Sequence, residues 1–196
     1  MYRPPYTRAD DPAVAYEIAD AHPFATLVST GADGDPQVSH VPLLRDGDTL
    51  VGHLARANPH LHVLGGRALA IFHGPHAYVS PTWYRTPGTN VPTWNYVTAH
   101  FTGRVELLDE EASAQALDTL VQRFEAEWTT DAAVRARLVN AIVGFRIVVD
   151  RVEAKLKLSQ NREHEDAARV AEALRRAEPA LSTWMRRVME SPPEEG

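Results

Sequence analysis

Apolar and polar positions recur with two different periods along this chain, and the switches between them mark its elements. Phe24 to Thr30 (FATLVST) is dense in β-formers, and Gly31-Ala32-Asp33-Gly34 after it is a turn signal. Gln37 to Leu44 predicts a second strand, Asp46-Gly47 a second turn, and Thr49 to Leu54 (TLVGHL) a third strand. The short turns predict an antiparallel meander. Ala68 to His73 (ALAIFH) is an unbroken apolar run, which reads as a strand covered on both faces. His76 to Ser80 and Trp94 to Leu108 read as strands flanking an aromatic loop. Gly103 inside the second predicts a bulge or bend of the kind that helps a sheet close. Phe145, Ile147 and Val149 alternate with Arg146, Val148 and Asp150. Glu153 to Leu158 (EAKLKL) alternates again, with Leu156 and Leu158 on one face and Lys155 and Lys157 on the other.

Elsewhere the period is helical. Asp10 or Asp11 can cap a helix with Pro12 in its first turn, Val14 and Ile18 on one face and an end near Ala21 to Pro23. Asn58-Pro59 reads as a cap and first position of a short helix ending at Gly65-Gly66. Leu117, Leu120, Val121, Phe124 and Trp128 keep the helical period through Glu110 to Trp128, with Asp109, Glu110 and Glu111 where the helix dipole favours anions. A helix over Asp131 to Ala141 puts Val134, Leu138 and Ile142 on one stripe, and Gly144 ends it. The last helices run over Glu165 to Ala177 and Pro179 to Met189, the final one burying Leu181, Trp184, Met185 and Val188. The sum is mainly β with helices, an α+β chain forming a small barrel with helical decoration. Residues 1–162 are expected to form the barrel domain, 163–190 a C-terminal helical arm and 191–196 (SPPEEG) a disordered tail.

Composition narrows the function classes. Of the 196 residues 44% are hydrophobic and 23% charged, as in an ordinary globular domain. Lys and Arg number 20 against 26 Asp and Glu, a net charge of −6 that argues against a generic nucleic-acid binder. The absence of cysteine removes disulfides, Cys nucleophiles and thiolate metal sites. MYRPPYTRAD has no apolar leader core and no run reaches membrane-spanning length, so a cytoplasmic protein with no membrane partner is expected.

The chemistry concentrates in His73 to His100, which holds two of four tryptophans, three of six tyrosines and four of fourteen prolines. Pro81-Thr82-Trp83-Tyr84 is echoed by Pro92-Thr93-Trp94-Asn95-Tyr96. Proline-stiffened aromatics suit a flat ligand with hydrogen-bonding edges, and equally suit the core of a hairpin. At His53-Leu54-Ala55-Arg56-Ala57-Asn58-Pro59 a strand ends in Arg56 beside a helix start. That is an anion clamp or a plain corner with Asn58 as its cap. In Lys155 to Arg162 (KLKLSQNR) a polar ligand edge or phosphate could be held by Lys157, Ser159 and Gln160; the alternative is an exposed strand face. Seven of nine histidines lie between His40 and His100, but His60-x-His62 and His73-x-x-His76 lack a nearby carboxylate, so no metal is expected. There is no Gly-x-Ser-x-Gly elbow, Walker loop or Gly-x-Gly-x-x-Gly, so catalytic residues are not identified.

MYRPPY, His53 to Pro59, Phe72 to Pro81 (FHGPHAYVSP), Trp83-Tyr84, Val91 to Tyr96 (VPTWNY), Gly144-Phe145 and Lys157 to Arg162 stand in order along nearly the whole chain. Together they resemble the PaiB-type family of FMN-binding negative transcriptional regulators. The resemblance implies an FMN-binding split β-barrel over residues 1–162, and a homodimer with the cofactor cleft at its interface. It implies FMN as cofactor, with haem or deazaflavin the alternative on this fold. His53, Arg56, Asn58, Thr93, Trp94, Asn95, Lys157, Ser159 and Gln160 are then the expected cofactor contacts. The family label also implies DNA. Near Arg175, Arg176, Arg186 and Arg187, however, acids balance the arginines, so direct DNA binding is not expected. A flavin-, haem- or deazaflavin-dependent oxidoreductase is the alternative function.

Overall fold

The computed structural model describes residues 1–86, 88 and 90–190; the tail expected to be disordered, 191–196, lies outside the described residues. In chain order the elements are β1 (Arg8–Ala9), α1 (Pro12–Ala21), β2 (Phe24–Thr30), β3 (Pro36–Pro42), β4 (Leu44–Asp46) and β5 (Thr49–Ala55). They continue with β6 (Arg67–Val79), β7 (Thr93–Leu107), α2 (Glu110–Phe124), α3 (Ala132–Asn140), β8 (Ile142–Lys157), α4 (His164–Leu174) and α5 (Pro179–Glu190). Strands hydrogen-bond in the order β3-β2-β6-β7-β8-β5-β4, with β1 on β8.

The expected meander is broken. β2 pairs with β3 and β4 with β5, both antiparallel, but β5 then pairs with β8 and not with β3. The break falls at Pro42, which has no N–H to extend a ladder. The next residue, Leu43, donates its N–H to Pro23 O at 2.9 Å and buries its side chain. Strands expected separately are also fused. β6 runs through Gly74-Pro75 as one strand; in the apolar run at Ala68 to His73 one face, Ala68, Ala70 and Phe72, is buried and the other, Leu69 and Ile71, is half-buried. Gly144 lies inside β8 instead of ending α3. A Cβ there would meet Ser113 Oγ at 2.8 Å, and its N–H donates to that hydroxyl at 2.9 Å. This close approach selects Ser113 and Ala116 as the buried face of α2, whereas Phe124 and Trp128, at the end of the periodic stripe, are exposed.

The chain divides into two compact units. The first comprises residues 1–18, 73–99 and the chain from 153 on; the second comprises 19–72 and 100–152. The first is packed on Val79, Tyr84, Val97, Leu158, Val170, Leu174, Leu181 and Met185, with α4 against α5. The second is packed on Leu27, Leu50, Leu54, Leu64, Phe145 and Ile147, with the rings of Phe72 and Phe101 edge to face at 5.3 Å. Full burial of each such side chain is worth about 1.5–3 kcal/mol. In the second unit β7 comes so close to β8 that a Cβ on Gly103 would meet Val148 O at 2.1 Å, which is what the glycine is for. Among the described residues no helix is long and apolar enough to cross a membrane.

Candidate functional site

In the first unit, Lys157 at the end of β8 reaches the start of β7. Its ammonium donates to Thr93 Oγ1 at 2.6 Å and to Trp94 O at 2.8 Å, and lies 6.0 Å from the Tyr96 ring. Both acceptors are neutral. Burial lowers the lysine's pKa, the Tyr96 phenol opposes this, and the charges of Lys155 and Arg162 lower it further. Lys155, two residues back on the same face, is buried with its ammonium 5.5 Å from the same Tyr96 ring and donates to Tyr2 O at 2.9 Å. The lysine pair is therefore no solvated strand face: both ammoniums are held.

Beside this pair Trp94 is 53% exposed. Its ring lies 6.3 Å from His76 and 6.2 Å from Tyr78, the latter near-perpendicular. His76 and Tyr78 are two apart on β6 and so share a face. Trp94 and Tyr78 offer a partly open aromatic shelf, which suits a flat ring. Sequence spacing pointed to Trp94 and not to Tyr78, His76, Tyr96 or Lys155. Burial along β6 slips by one at Pro75-His76, from Phe72 and Gly74 to Ala77 and Val79, so the alternation of the first half of the strand does not carry on to His76 and Tyr78.

Asn95, Ser159 and Gln160 sit in the same unit but face inward. Asn95 is 1% exposed; its Nδ2 donates to Ser159 Oγ at 3.0 Å and approaches Met185 Sδ of α5 at 3.5 Å. Ser159 has a positive φ of 69°, an uncommon state for a residue other than glycine. Gln160 spends both ends of its amide on the adjacent strand end, accepting from Leu158 N and donating to Leu156 O. These three side chains shape the turn that delivers Lys157.

The other three expected contacts lie in the second unit. Arg56 follows β5, and its guanidinium donates from Nε to Asn140 O and from Nη2 to Ile142 O, each at 2.8 Å, tying the end of α3 to the start of β8. The helix expected after it is a four-residue 3-10 turn, Pro59–His62. Asn58 caps that turn by accepting from His60 N at 3.0 Å, and its Nδ2 donates to Ser39 Oγ at 3.2 Å. Ser39 Oγ is 2.9 Å from His60 Nδ1, while the buried His60 Nε2 has no partner among the described residues. His53 is half-buried on β5, and burial lowers its pKa. The structure thus brings together Thr93, Trp94, Asn95, Lys157, Ser159 and Gln160, and separately Arg56 and Asn58.

Antiparallel strands packed with helices, and a basic, aromatic strand end suited to a flat anionic ligand, define an α+β ligand-binding fold. The family described as "Putative FMN-binding domain" matches residues 1–151. The chain is 32% identical over 203 residues to the protease synthase and sporulation protein PAI 2 of Bacillus subtilis (strain 168), with 97% of each covered. The chain therefore belongs to the FMN-binding PaiB-type family, and FMN is its cofactor class. Among solved structures it is similar to the FAD and heme binding protein from Mycobacterium smegmatis, with TM-score 0.65 and 23% identity over 83% of this chain and 79% of that one. The flavocytochrome Anf3 from Azotobacter vinelandii gives TM-score 0.65 and 20% identity over 86% and 78%. That likeness shows the fold, the split barrel expected from the sequence blocks.

Proposed function

We propose that the chain works as a homodimeric flavin-holding regulator of the PaiB type that acts in the cytoplasm and does not itself read DNA. One observation carries the flavin part: the Lys157 ammonium is fixed against neutral acceptors beside the open Trp94–Tyr78 shelf. A flat ring with an anionic tail matches both halves of that arrangement. In this reading Thr93, Trp94 and Lys157 meet the cofactor. Asn95, Ser159 and Gln160 hold the turn, braced by the 163–190 arm through Met185. His53, Arg56 and Asn58, in the second unit, are proposed as cofactor contacts on the family resemblance alone. Bound FMN would supply a ring able to take up one or two electrons. Exposed Trp94, Tyr78, Phe124 and Trp128 support burial against a second copy.

The charge pairing on the last helices supports the absence of direct DNA reading. Arg175 and Arg186 both bind Glu172, and Arg187 binds Glu17. Of the four arginines Arg176 alone has no carboxylate partner among the described residues, and one cation does not make a basic stripe that could face a groove. Light scattering on the FMN-loaded protein should give twice the mass of one chain, and a monomer that still binds FMN contradicts the dimer. Fluorescence polarisation with the gene's own upstream DNA at about 0.15 M salt should show no sub-micromolar binding that survives unrelated competitor. Retention against competitor contradicts the DNA part.

A further inference from the structure

Helix α2 covers the strands beneath it unevenly. Its first half is pinned by Ser113, whose hydroxyl accepts from Gly144 N at 2.9 Å, at a point where a Cβ on the glycine would already collide. Beyond Ala116 the cover thins: Leu117, Leu120 and Val121 keep the helical period yet are only half-buried, and Phe124 is exposed. A cleft of about 470 Å³ opens between α2 and strands β4 and β5, its apolar wall made by Leu44, Val51, Leu108, Ala112, Ala116 and Leu120. Of these only Ala116 is buried by the protein itself. The volume is that of a small-molecule pocket. The cleft lies wholly in the second unit and shares no residue with the expected cofactor contacts.

We infer that this cleft is a second ligand site, and that it takes a small uncharged molecule with an apolar body and one hydrogen-bond donor, an alcohol or a phenol. The two cations in its lining are already spent. Arg45 donates from Nε and Nη2 to Asp20 at 3.3 and 3.0 Å, and Arg146 donates from Nε to Glu106 at 2.6 Å. Asp46, also in the lining, has no cation partner among the described residues, so an anion is repelled. That carboxylate is exposed, so it holds a cation only weakly, and a charge of either sign is costly to bury against the apolar wall. The two threonines of the lining set the polar end. Thr49 donates its hydroxyl to Asp46 O at 2.8 Å and Thr119 to Gln115 O at 2.9 Å. What each hydroxyl has left is a lone pair, so the ligand must bring the donor. Covering Leu44, Val51 and Leu120 supplies the driving force. The inference goes beyond the flavin reading and does not rest on it.

The test titrates 1-naphthol, naphthalene and 1-naphthoate into the wild type and A112F, with thermal melting to confirm folding. In the wild type 1-naphthol should saturate below about 1 mM, a fitting affinity for so few heavy atoms. Naphthalene, which lacks the donor, should bind about two- to tenfold more weakly, the worth of one net hydrogen bond. The charged 1-naphthoate should bind at least about tenfold more weakly. A112F fills the cleft with a ring and should weaken 1-naphthol at least about tenfold, with FMN affinity unchanged. Excess FMN should not displace 1-naphthol. No saturable binding, equal affinity for 1-naphthoate, an unchanged A112F, or displacement by FMN, which would put the probe on the Trp94–Tyr78 shelf, overturns the site. A gap between 1-naphthol and naphthalene that survives in T49V/T119V overturns the assignment of the donor. If A112F does not fold, L120W takes its place with the same expected loss. A wild type that binds no FMN overturns the flavin reading alone and leaves the 1-naphthol result standing.

Discussion

Asn95 and Ser159, 64 positions apart, are joined twice: Nδ2 donates to Ser159 Oγ at 3.0 Å, and that hydroxyl lies 3.3 Å from Asn95 Oδ1. The pair holds Ser159 in its left-handed conformation, which costs about 1–2 kcal/mol for a residue with a Cβ. Asn95→Ala should therefore lower stability by about 1–3 kcal/mol, since it strands a buried hydroxyl at a strained turn. Urea unfolding checks this, and an unchanged midpoint would mean that the turn holds itself.

A second prediction concerns Gly103. A methyl group there would lie 2.1 Å from Val148 O, and backbone cannot step aside as a side-chain tip can. Gly103→Ala should cost at least about 1–3 kcal/mol, the usual range for overpacking. Gly34→Ala has open space around its Cβ but a φ of 87°, so its cost should come from backbone strain alone and be the smaller. Thermal melts of the two variants should rank in that order.

Acid should destabilise the fold in two steps. Burial lowers the pKa of His22, His53 and His60, so the folded state resists protons that the unfolded chain accepts. Their contribution is whole above the unfolded histidine pKa of about 6.5 and is lost as pH falls below it. Asp166 and Glu172 are held low by hydrogen bonds from Arg85 and from Arg175, and should add a second loss in the carboxylate range. Urea midpoints should decline from pH 7.5 to 5.5 (about two units spanning the histidine range), before any carboxylate protonates. A midpoint constant over that interval contradicts the buried neutral histidines.

Much of the fold was legible because local signals agreed with it. Pro12 after Asp11 marks α1, the turn at Gly34 marks the β2–β3 hairpin, and Pro179 starts α5. What failed was pairing. Nothing local says that Thr49–Ala55 should leave its neighbour for a strand about a hundred residues on, because such partners are chosen by packing and not by propensity. The same holds for α2, where the periodic stripe lost to the small face at Ser113 that fits against Gly144. At the site, residue types on KLKLSQNR announced polar chemistry. Their division into Lys157, turned to Thr93, and Gln160, spent on its own backbone, depends on the turn geometry at Ser159.

The most direct test of the central claim is a fluorescence-quenching titration of FMN into the wild type and Lys157→Ala. The wild type should saturate at one FMN per chain, and the variant should bind about 1.5–3 kcal/mol more weakly, the worth of a charge-assisted hydrogen bond. Wild-type affinity should also fall on the alkaline side sooner than an ordinary lysine would allow. Burial, outweighing the opposing Tyr96 and helped by Lys155 and Arg162, lowers the pKa of Lys157. Binding that saturates, weakens in the variant and fades early with alkali is the predicted result; no quenching, or equal affinity in both proteins, would contradict the account.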